Sequence, residues 1–287
     1  MCYFIILANS ELIHTIMTTF SILIAHYNNY HYFTDCYKSI LNQTYQNFEV
    51  IIVDDCSTDE SYQKIIALTN NNPKVKIFRN NENQGVGFTK RRCIELASGE
   101  ICGFLDPDDA LAENALEKSI ENHTENNVAT YSRFYLCDSN LIPNRFFPHS
   151  RFVKNGSRKF FNIFLEVNHF FTFKKSLYNT TSGINPDLRS AEDQDLYLKL
   201  YDLGRFTFIN IPLYYYRLHE NGVSQKISTK EILNQNWHGV LVETATRRKL
   251  KTLYGKKIAD INDLPRYLKD KQNSFFTKIL RNLPKLY

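Results

Sequence analysis

The chain has 287 residues, of which 43% are hydrophobic and 23% charged, a composition that excludes an intrinsically disordered chain. Its formal net charge of +5 is mild, and no known nucleic-acid-reading motif accompanies it, which argues against a nucleic-acid partner. No apolar run reaches the roughly 20 residues that a transmembrane helix needs.

The first segment, MCYFIILANSELIHTIM, has a short apolar patch but neither a basic region before it nor a clear cleavage site. It is therefore a poor match to a secretory signal peptide. Met17 directly precedes the first clear strand. We therefore predict that Met17 is the biological start and that residues 1–16 are a non-native or disordered extension.

From Phe20 to about Cys137, short β-rich runs alternate with segments of helical periodicity. The predicted strands are FSILIAHY, FEVIIVDD, VKIFRN and EICGFLD. The predicted helices between them are HYFTDCYKSILNQ, STDESYQKIIALTNN and GFTKRRCIELAS. Nearly continuous apolar strands separated by helices of this length are typical of a parallel sheet covered on both faces. The pattern predicts an α/β fold with a doubly wound, mostly parallel, Rossmann-like sheet.

After Cys137 the order of elements changes. Aromatic-rich segments lead to a predicted helix, AEDQDLYLKLYDLG, and then to a β-rich stretch, RFTFINIPLYYYRLH. From about Glu243 onward the pattern is helical and basic. With no repeat and no low-complexity linker, we predict one domain with a helical C-terminal appendage.

The six cysteines form no C-x-x-C pair. Most lie inside apolar periodic segments, where a free thiol packs as a small hydrophobic side chain. This usage favours a reduced, cytoplasmic setting and indicates neither a zinc site nor a disulfide framework.

Two strands of the predicted sheet end in acidic residues: Asp54–Asp55 follow VIIV, and Asp106, Asp108 and Asp109 follow ICGFL. Ligands of such sheets bind at the carboxyl ends of the strands. A D-x-D at a strand end suits Mg²⁺ or Mn²⁺ that carries a diphosphate, because these ions take hard oxygen ligands and few protein carboxylates. The alternative is that the aspartates lie at the N-terminus of the following helix, ENALEKSIEN.

The other acidic strand end, at Asp54–Asp55, offers a carboxylate that could bind a base or a ribose. Asp55 suits the N3–H of a uracil-like base, while Ser57 or Asp59 is predicted to cap the next helix. In the stretch NQGVGFTKRR, Lys90 stands where a dinucleotide fingerprint needs its third glycine. Lys90 or Arg91 could instead face a diphosphate, or belong to a solvated helix face.

The segment RSAEDQDLYL places Glu192 and Asp193 at a predicted helix start, where a carboxylate can take a proton from a hydroxyl. The alternative is a capping box, in which Ser190 and Asp193 only satisfy backbone N–H groups. His219, after the last predicted strand, is a turn residue or a metal ligand.

Taken together and in order, these motifs resemble those of the family 2 glycosyltransferases. The stretch LNQTYQNFEVIIVDDCSTDES is similar to that family's Q-T-Y…V-D-D-G-S-T-D signature. NQGVGFTKRRCIELASGEICGFLDPDD is similar to its N-x-G…G-E…F-L-D-x-D-D run, SAEDQDLYLKL to its E-D-x-D-L helix, and YRLHENGVS to its late Y-R-x-H segment. The resemblance covers Phe20 to Ser224 and implies the GT-A fold.

For the donor, the resemblance implies that Ala25 and Tyr27 line the nucleotide pocket, that Asp55 contacts the base and that Asp106 reaches the ribose. Lys90 or Arg91 would approach the phosphates. The sequence departs from the family at three places. Ala25 replaces a common Pro, Cys56 replaces a common Gly, and Thr89-Lys90-Arg91 replaces Ala-Arg-Asn.

For the reaction, the resemblance implies that Asp108 and His219 bind Mn²⁺ or Mg²⁺. Asp193 would be the general base, with Glu192 beside it. The activity implied is inverting transfer of a sugar from a nucleotide-sugar donor, UDP-linked by preference, to a hydroxyl of a glycan or lipid-linked acceptor in surface polysaccharide or glycoconjugate synthesis.

The predicted domains follow from the same resemblance. Residues 17–225 form the glycosyltransferase domain, with a nucleotide-binding half over about 17–138 and an acceptor half over about 139–225. Residues 226–287 form the basic helical appendage. Its aromatic and cationic end, FFTKILRNLPKLY, could lie on an anionic membrane at the inner face of the cell membrane, or pack on the domain.

Rival interpretations were a haloacid-dehalogenase-type phosphatase, a sugar-phosphate nucleotidyltransferase and a protein that binds nucleotide sugars or membrane surfaces without catalysis. A phosphatase of that type needs its D-x-D after the first strand, whereas the D-x-D of this chain follows the fourth predicted strand. A nucleotidyltransferase needs a Gly-rich, basic loop after the first strand. This chain has AHYNNYHYF there, which contains no such loop.

Overall fold

The computed structural model describes residues 18–220 and 230–273. The prediction about Met17 and residues 1–16 falls outside this range, as does the last part of the basic tail. Within these residues, no helix combines the length and the apolar character needed to cross a membrane.

The first half of the described chain consists of alternating strands and helices, as the sequence predicts. Its strands are β1 (Phe20–His26), β2 (Phe48–Asp54), β3 (Val75–Arg79), β4 (Ile101–Phe104) and the short β5 (Ala110–Leu111). Its helices are α1 (Tyr30–Leu41), α2 (Ser61–Thr69), α3 (Val86–Leu96) and α4 (Ala115–Glu121). Strands β3, β2, β1 and β4 are adjacent in that order, and all of them are parallel.

The second half adds strands to the same sheet. They are β6 (Asn127–Cys137), β7 (Pro143–Phe146), β8 (Thr172–Lys174) and β9 (Arg205–Arg217), with helices α5 (Lys175–Tyr178) and α6 (Glu192–Tyr201). Among the described residues, the sheet order is β3-β2-β1-β4-β8-β6-β9-β5, with β7 paired to β6. β8 is antiparallel to both β4 and β6, whereas β6 and β9 are parallel.

Both faces of the sheet are covered, and its central strands β1 and β2 are buried at almost every position. In β1, Ile22 and Ile24 pack towards helices α1, α2 and α4, while Leu23 packs towards α3 and α6. The same alternation holds in β2, where Ile51 and Val53 face α3 and α6. The doubly wound α/β prediction is confirmed.

The C-terminal segment comprises α7 (Lys230–Arg247), a hairpin of β10 (Thr252–Leu253) and β11 (Lys256–Lys257), a 3₁₀ turn (Ile258–Asp260) and α8 (Leu264–Gln272). It forms a third apolar cluster with the preceding domain. Buried Leu241 and Leu264 pack in this cluster together with Phe161 and Leu198. The prediction of a helical segment here is confirmed.

The cysteines behave as the sequence predicts. Cys36, Cys93, Cys102 and Cys137 are buried and free, and Cys56 is free and half-buried. Burial raises the pKa of the Cys93 and Cys102 thiols to about 12. These thiols are therefore packing groups and not nucleophiles at neutral pH.

Candidate active site

A cavity of about 660 Å³ opens at the carboxyl ends of β1, β2 and β4, beside the starts of α3 and α6. The sequence singled out nine site residues, and eight of them line this cavity: Ala25, Tyr27, Asp55, Lys90, Asp106, Asp108, Glu192 and Asp193. The ninth, His219, hydrogen-bonds to Asp108. The structure thus brings together residues that lie up to 194 positions apart (219 − 25).

Asp108 and His219 form a contact between the loop after β4 and the end of β9. Oδ2 of Asp108 lies 2.8 Å from Nε2 of His219, whose side chain is 5% exposed. The imidazole packs edge-on against Tyr32 of α1, with ring centroids 4.6 Å apart. The pair is therefore held in place from three elements.

The donor atoms of this pair suit a divalent cation. Two neighbouring ligands of one octahedral ion, each about 2.1 Å from it, lie about 3 Å apart, close to the observed spacing of these atoms. Within residues 18–220 and 230–273, no group of three or more His, Cys, Asp or Glu side chains could hold a metal ion. An ion at this pair would therefore need further ligands, and phosphate and water are those that Mg²⁺ commonly takes.

Asp109 has a structural role in the same loop. Its carboxylate is buried and accepts hydrogen bonds from the Tyr214 hydroxyl (2.7 Å) and the Arg217 backbone N–H (2.7 Å). Burial raises its pKa well above the ordinary value, and the charges of Asp108 and Asp106 raise it further. Placement of these aspartates at a helix N-terminus was therefore wrong for Asp109, since α4 begins only at Ala115 and its N-cap is Asn114.

Arg217 anchors the loop that carries Asp108. Its Nε donates to the Asp108 carbonyl (2.7 Å), another guanidinium nitrogen bonds to Asp35 (2.9 Å), and the group lies 4.4 Å above the Tyr32 ring. It also donates to the Ser139 carbonyl. The guanidinium thus fixes the backbone next to Asp108.

Lys90 lies at the centre of three carboxylates. Its Nζ is 2.8 Å from Asp193, 2.9 Å from Glu192 and 3.9 Å from Asp106. Burial opposes the charge of this ammonium, but the three carboxylates outweigh it and raise the pKa of Lys90 well above its ordinary value. Arg91 points away and donates to the carbonyls of Ser182 and Ile184, so Lys90 is the cation of this pair that enters the cavity.

The capping box, which the sequence left open as the alternative for Ser190 and Asp193, does not form at the start of α6. No side chain caps this helix, and its N-cap, Ala191, adopts a left-handed conformation with φ 61°. Asp193 accepts from Lys90, while the Ser190 hydroxyl accepts from Asn236 of α7 (2.9 Å). The Asp193 side chain is 29% exposed and lines the cavity.

Asp55 is held by the loop after β3. Its carboxylate accepts from the backbone N–H groups of Gln84 (2.9 Å) and Gly85 (2.8 Å) and from the Asn80 amide (2.6 Å). Cys56, where the family commonly has Gly, has φ 61°, a left-handed backbone that costs about 1–2 kcal/mol for a residue with a Cβ. Cys56 therefore adopts the left-handed backbone conformation that glycine adopts most easily.

The prediction that Ser57 or Asp59 caps the next helix is wrong, because the N-cap of α2 is Glu60 and no side chain caps this helix. The Asp59 carboxylate accepts from the Ser61 N–H at the start of α2 (2.9 Å). The Ser57 hydroxyl instead bonds to Asp54 and accepts from the Asn28 N–H, so it ties the ends of β1 and β2 together.

Sequence reasoning missed three residues that line the cavity, His169, Arg189 and Arg217. The His169 ring is stacked on Tyr214 with centroids 4.6 Å apart, and burial lowers its pKa. Its surroundings in the sequence, NHFFTF, carry no motif. Arg217 stands in the Y-R-x-H segment, whose arginine was a signal that could have been used.

With this geometry described, comparison with known proteins identifies the family. The model of Glycosyl transferase family 2 matches residues 21–181, more than half of the chain. The chain belongs to glycosyltransferase family 2. The resemblance seen in the motifs is confirmed, and the haloacid-dehalogenase interpretation is not supported.

Several curated proteins are similar to this family 2 chain. A chondroitin synthase of Escherichia coli is 31% identical over 256 residues, which cover 88% of this chain and 36% of that protein. A hyaluronan synthase of Pasteurella multocida is 29% identical over 266 residues (90% and 26%). The E. coli glucosyltransferase WfgD, whose name gives UDP-Glc and a diphosphoundecaprenol-linked GlcNAc, is 29% identical over 136 residues (47% and 53%). This chain thus spans about a third or less of the two synthases.

Solved structures show the same fold. TarS 1–349 of S. aureus, in complex with UDP-GlcNAc, has a TM-score of 0.65 and 24% identity, covering 78% of this chain and 66% of that one. A mannosyltransferase of Pyrobaculum calidifontis, in complex with GDP-Man and Mn²⁺, has a TM-score of 0.58 and 15% identity (86% and 66%). The predicted GT-A fold is confirmed.

Proposed function

We propose that this protein is an inverting glycosyltransferase that moves a sugar from a UDP-sugar to a hydroxyl of a glycan or lipid-linked acceptor. The observation that carries the proposal is that one cavity is lined both by Asp108, which is paired with His219, and by the Lys90-bound Asp193. The first suits a metal that binds a diphosphate, and the second suits a general base.

In this proposal, Asp55 binds the base of the donor. A carboxylate has about four lone-pair sites, and Asn80, Gln84 and Gly85 occupy three of those of Asp55. The remaining site is fixed in direction and can accept the N3–H of uracil. Asp106, whose side chain is 33% exposed beside Lys90, contacts the ribose, and Ala25 and Tyr27 line the nucleotide pocket.

The Asp108–His219 pair would hold Mn²⁺ or Mg²⁺, which supplies Lewis-acid neutralisation of the charge on the departing nucleoside diphosphate. Arg217 keeps the Asp108 backbone in place for this task. A Mn²⁺ complex is known for the structurally similar mannosyltransferase, which supports a divalent ion here.

Asp193 takes the proton from the attacking acceptor hydroxyl. Lys90 binds one of its oxygens and so orients the carboxylate. Glu192 contacts the same ammonium at 2.9 Å and holds Lys90 in place between Asp193 and Asp106. A single in-line displacement with the base on the side away from the leaving group inverts the anomeric carbon and needs no covalent intermediate.

The donor and acceptor classes rest on the relatives. UDP is supported by the UDP-GlcNAc complex of TarS and by the name of WfgD, and a lipid-linked glycan acceptor by the latter. Polysaccharide synthesis is supported by the chondroitin and hyaluronan synthases. Contact of the basic tail with a membrane stays a prediction.

The test is a panel of UDP-Glc, UDP-GlcNAc, UDP-GlcA and GDP-Man, each with Mn²⁺ or with EDTA, read by thermal shift and by nucleoside diphosphate release. We expect a UDP-sugar to give the largest Mn²⁺-dependent shift. Asp108→Ala should abolish the Mn²⁺-dependent part and lower diphosphate release roughly a hundredfold or more, since several kcal/mol of charge stabilisation are lost.

The exposed Asp260→Ala serves as the matched control and should behave as the wild type. Undiminished, Mn²⁺-dependent release by a folded Asp108→Ala variant would contradict the metal role. Failure of every nucleotide sugar to shift the wild type would contradict the enzyme proposal.

A further inference from the structure

Gly85, which lines the cavity, and Gly87, in the first turn of α3, both lie against the loop before α6. A Cβ at Gly87 would lie 2.7 Å from the carbonyl oxygens of both Asn185 and Leu188, closer than real Cβ contacts. The Gly87 N–H donates to the Leu188 carbonyl at 3.0 Å. The glycine therefore lets the loop before α6 dock directly on the first turn of α3.

Arg189, the next residue in that loop, extends over Gly85. A Cβ at Gly85 would lie 1.9 Å from Nη1 of Arg189 and 2.8 Å from its Cδ, and Gly85 has φ 87°. Any side chain at Gly85 would occupy the place of the guanidinium. The two glycines together thus bring Arg189 into the wall of the cavity.

The position of Arg189 relative to the sheet indicates which part of a donor it meets. Gly85, which it covers, donates its N–H to Asp55 at 2.8 Å. Asp55 and Gly85 follow β2 and β3, on one side of β1, whereas Asp106 and Asp108 follow β4 on the other side. The guanidinium therefore lies on the Asp55 side of the cavity and not on the side of the metal pair.

The charge of Arg189 is available to a ligand. Lys90 is paired with Glu192 and Asp193, and Arg217 with Asp35. Arg189 is exposed, and its guanidinium makes no ion pair or hydrogen bond with any of residues 18–220 and 230–273. Its planar group carries five N–H donors and no acceptor.

We propose that Arg189 is a specificity-determining residue that donates to the O4 carbonyl of the uracil seated at Asp55. This inference rests on the proposed function. Uracil carries a carbonyl where cytosine carries an amino donor, so a guanidinium at that edge favours uracil and opposes cytosine. Arg189 lies only three residues before Glu192 and four before Asp193. One short segment therefore carries both the proposed nucleotide contact and the proposed general base.

The experiment measures the affinities of uridine, UMP, UDP and CDP, without metal, for the wild type and for Arg189→Ala. We expect the variant to bind uridine, UMP and UDP each roughly tenfold more weakly, the lower range for a hydrogen bond from a charged group. Its preference for UDP over CDP should fall by a similar factor. Arg145→Ala, an exposed arginine on β7, makes the same charge change away from the cavity and should match the wild type.

The four affinities distinguish a contact of Arg189 with the pyrimidine from a contact with the phosphates and from no contact. A variant that loses affinity for UDP and UMP but not for uridine would place Arg189 on the phosphates and overturn the proposal. Equal affinities of variant and wild type for all four ligands would also overturn it. A wild type that binds no nucleoside diphosphate, even when Mn²⁺ is added, would show instead that the proposed function is wrong, and with it this inference.

Discussion

At the scale of single residues, the site is organised by one buried ammonium. Lys90 contacts Asp193 and Glu192 and lies near Asp106, so a single positive charge faces three negative ones. Asp193 thereby has a partner 103 residues away in the chain and no role in capping its own helix. The Asp193 carboxylate therefore faces the cavity, which is the position that the proposed base role requires.

Asp193→Asn removes the proton acceptor and keeps the shape of the side chain. We expect the rate of transfer to fall by roughly 10²–10⁴-fold, the usual contribution of a positioned base, while UDP affinity stays within a few-fold of the wild type. Steady-state kinetics and UDP titration measure the two quantities. Asp187→Asn, an exposed residue of the preceding loop, is the control, and a loss of less than tenfold would argue against the base role.

The residues of the site were predictable where chemistry and position in a motif coincide. Asp108, Asp193 and His219 each follow an apolar strand or precede a helix, and the order of their motifs is typical of the family. Arg189 was not predictable, because its role comes from two glycines about a hundred residues earlier that have no Cβ to displace it. A contact of this kind becomes visible only in the folded structure, because no motif in the sequence marks it.

At the scale of elements, the parallel half was predictable because each strand is a long apolar run between helical segments. Predicted and observed bounds of β1 to β4 differ by two residues or fewer. The short strands β5, β7 and β8 were not predicted. They have only two to four residues, too few for periodicity to show, and their pairing depends on β9 and β6.

A buried carboxylate on β2 joins several of these elements. Glu49 accepts from the Ser21 hydroxyl of β1 (2.7 Å), from Lys76 of β3 (2.8 Å) and from backbone N–H groups of Ser98 and Gly99. Burial opposes its ionisation, but these hydrogen bonds outweigh it and lower the pKa of Glu49 to about 2. Its charged form therefore stabilises the sheet.

Glu49→Gln should lower the free energy of unfolding by about 2–3 kcal/mol at pH 7. Because the folded pKa lies below the ordinary 4.5, this stabilisation is present above pH 4.5 and lost as the pH falls towards 2. Urea unfolding at pH 7, 4.5 and 3 should show the gap between wild type and variant narrowing. The exposed Glu125→Gln should match the wild type throughout, and a gap that does not change with pH would contradict the prediction.

At the scale of the whole molecule, the described part of the C-terminal segment packs on the domain. Leu241 and Leu264 are fully buried in the cluster that contains Phe161 and Leu198. Arg248, after α7, donates to the carbonyl of Phe160 and to the Asp202 carboxylate. The sequence predicted helix and positive charge here, but it did not show which apolar face was covered. The domain limits at 225 and 226 stay predictions.

Leu241→Ala tests how far this packing stabilises the protein. We expect a loss of about 3 kcal/mol in the free energy of unfolding, the range for truncation of a fully buried leucine, measured by urea denaturation. The exposed Lys251→Ala provides the comparison and should leave stability unchanged. A Leu241→Ala protein as stable as the wild type would show that the segment adds little to the fold.

The Asp108–His219 contact joins parts of the chain that are synthesised far apart in time. A ribosome completes β1 to β4 about a hundred residues before it adds Arg217 and His219. The cation site proposed for Asp108 and His219 can therefore form only after nearly the entire domain has been synthesised.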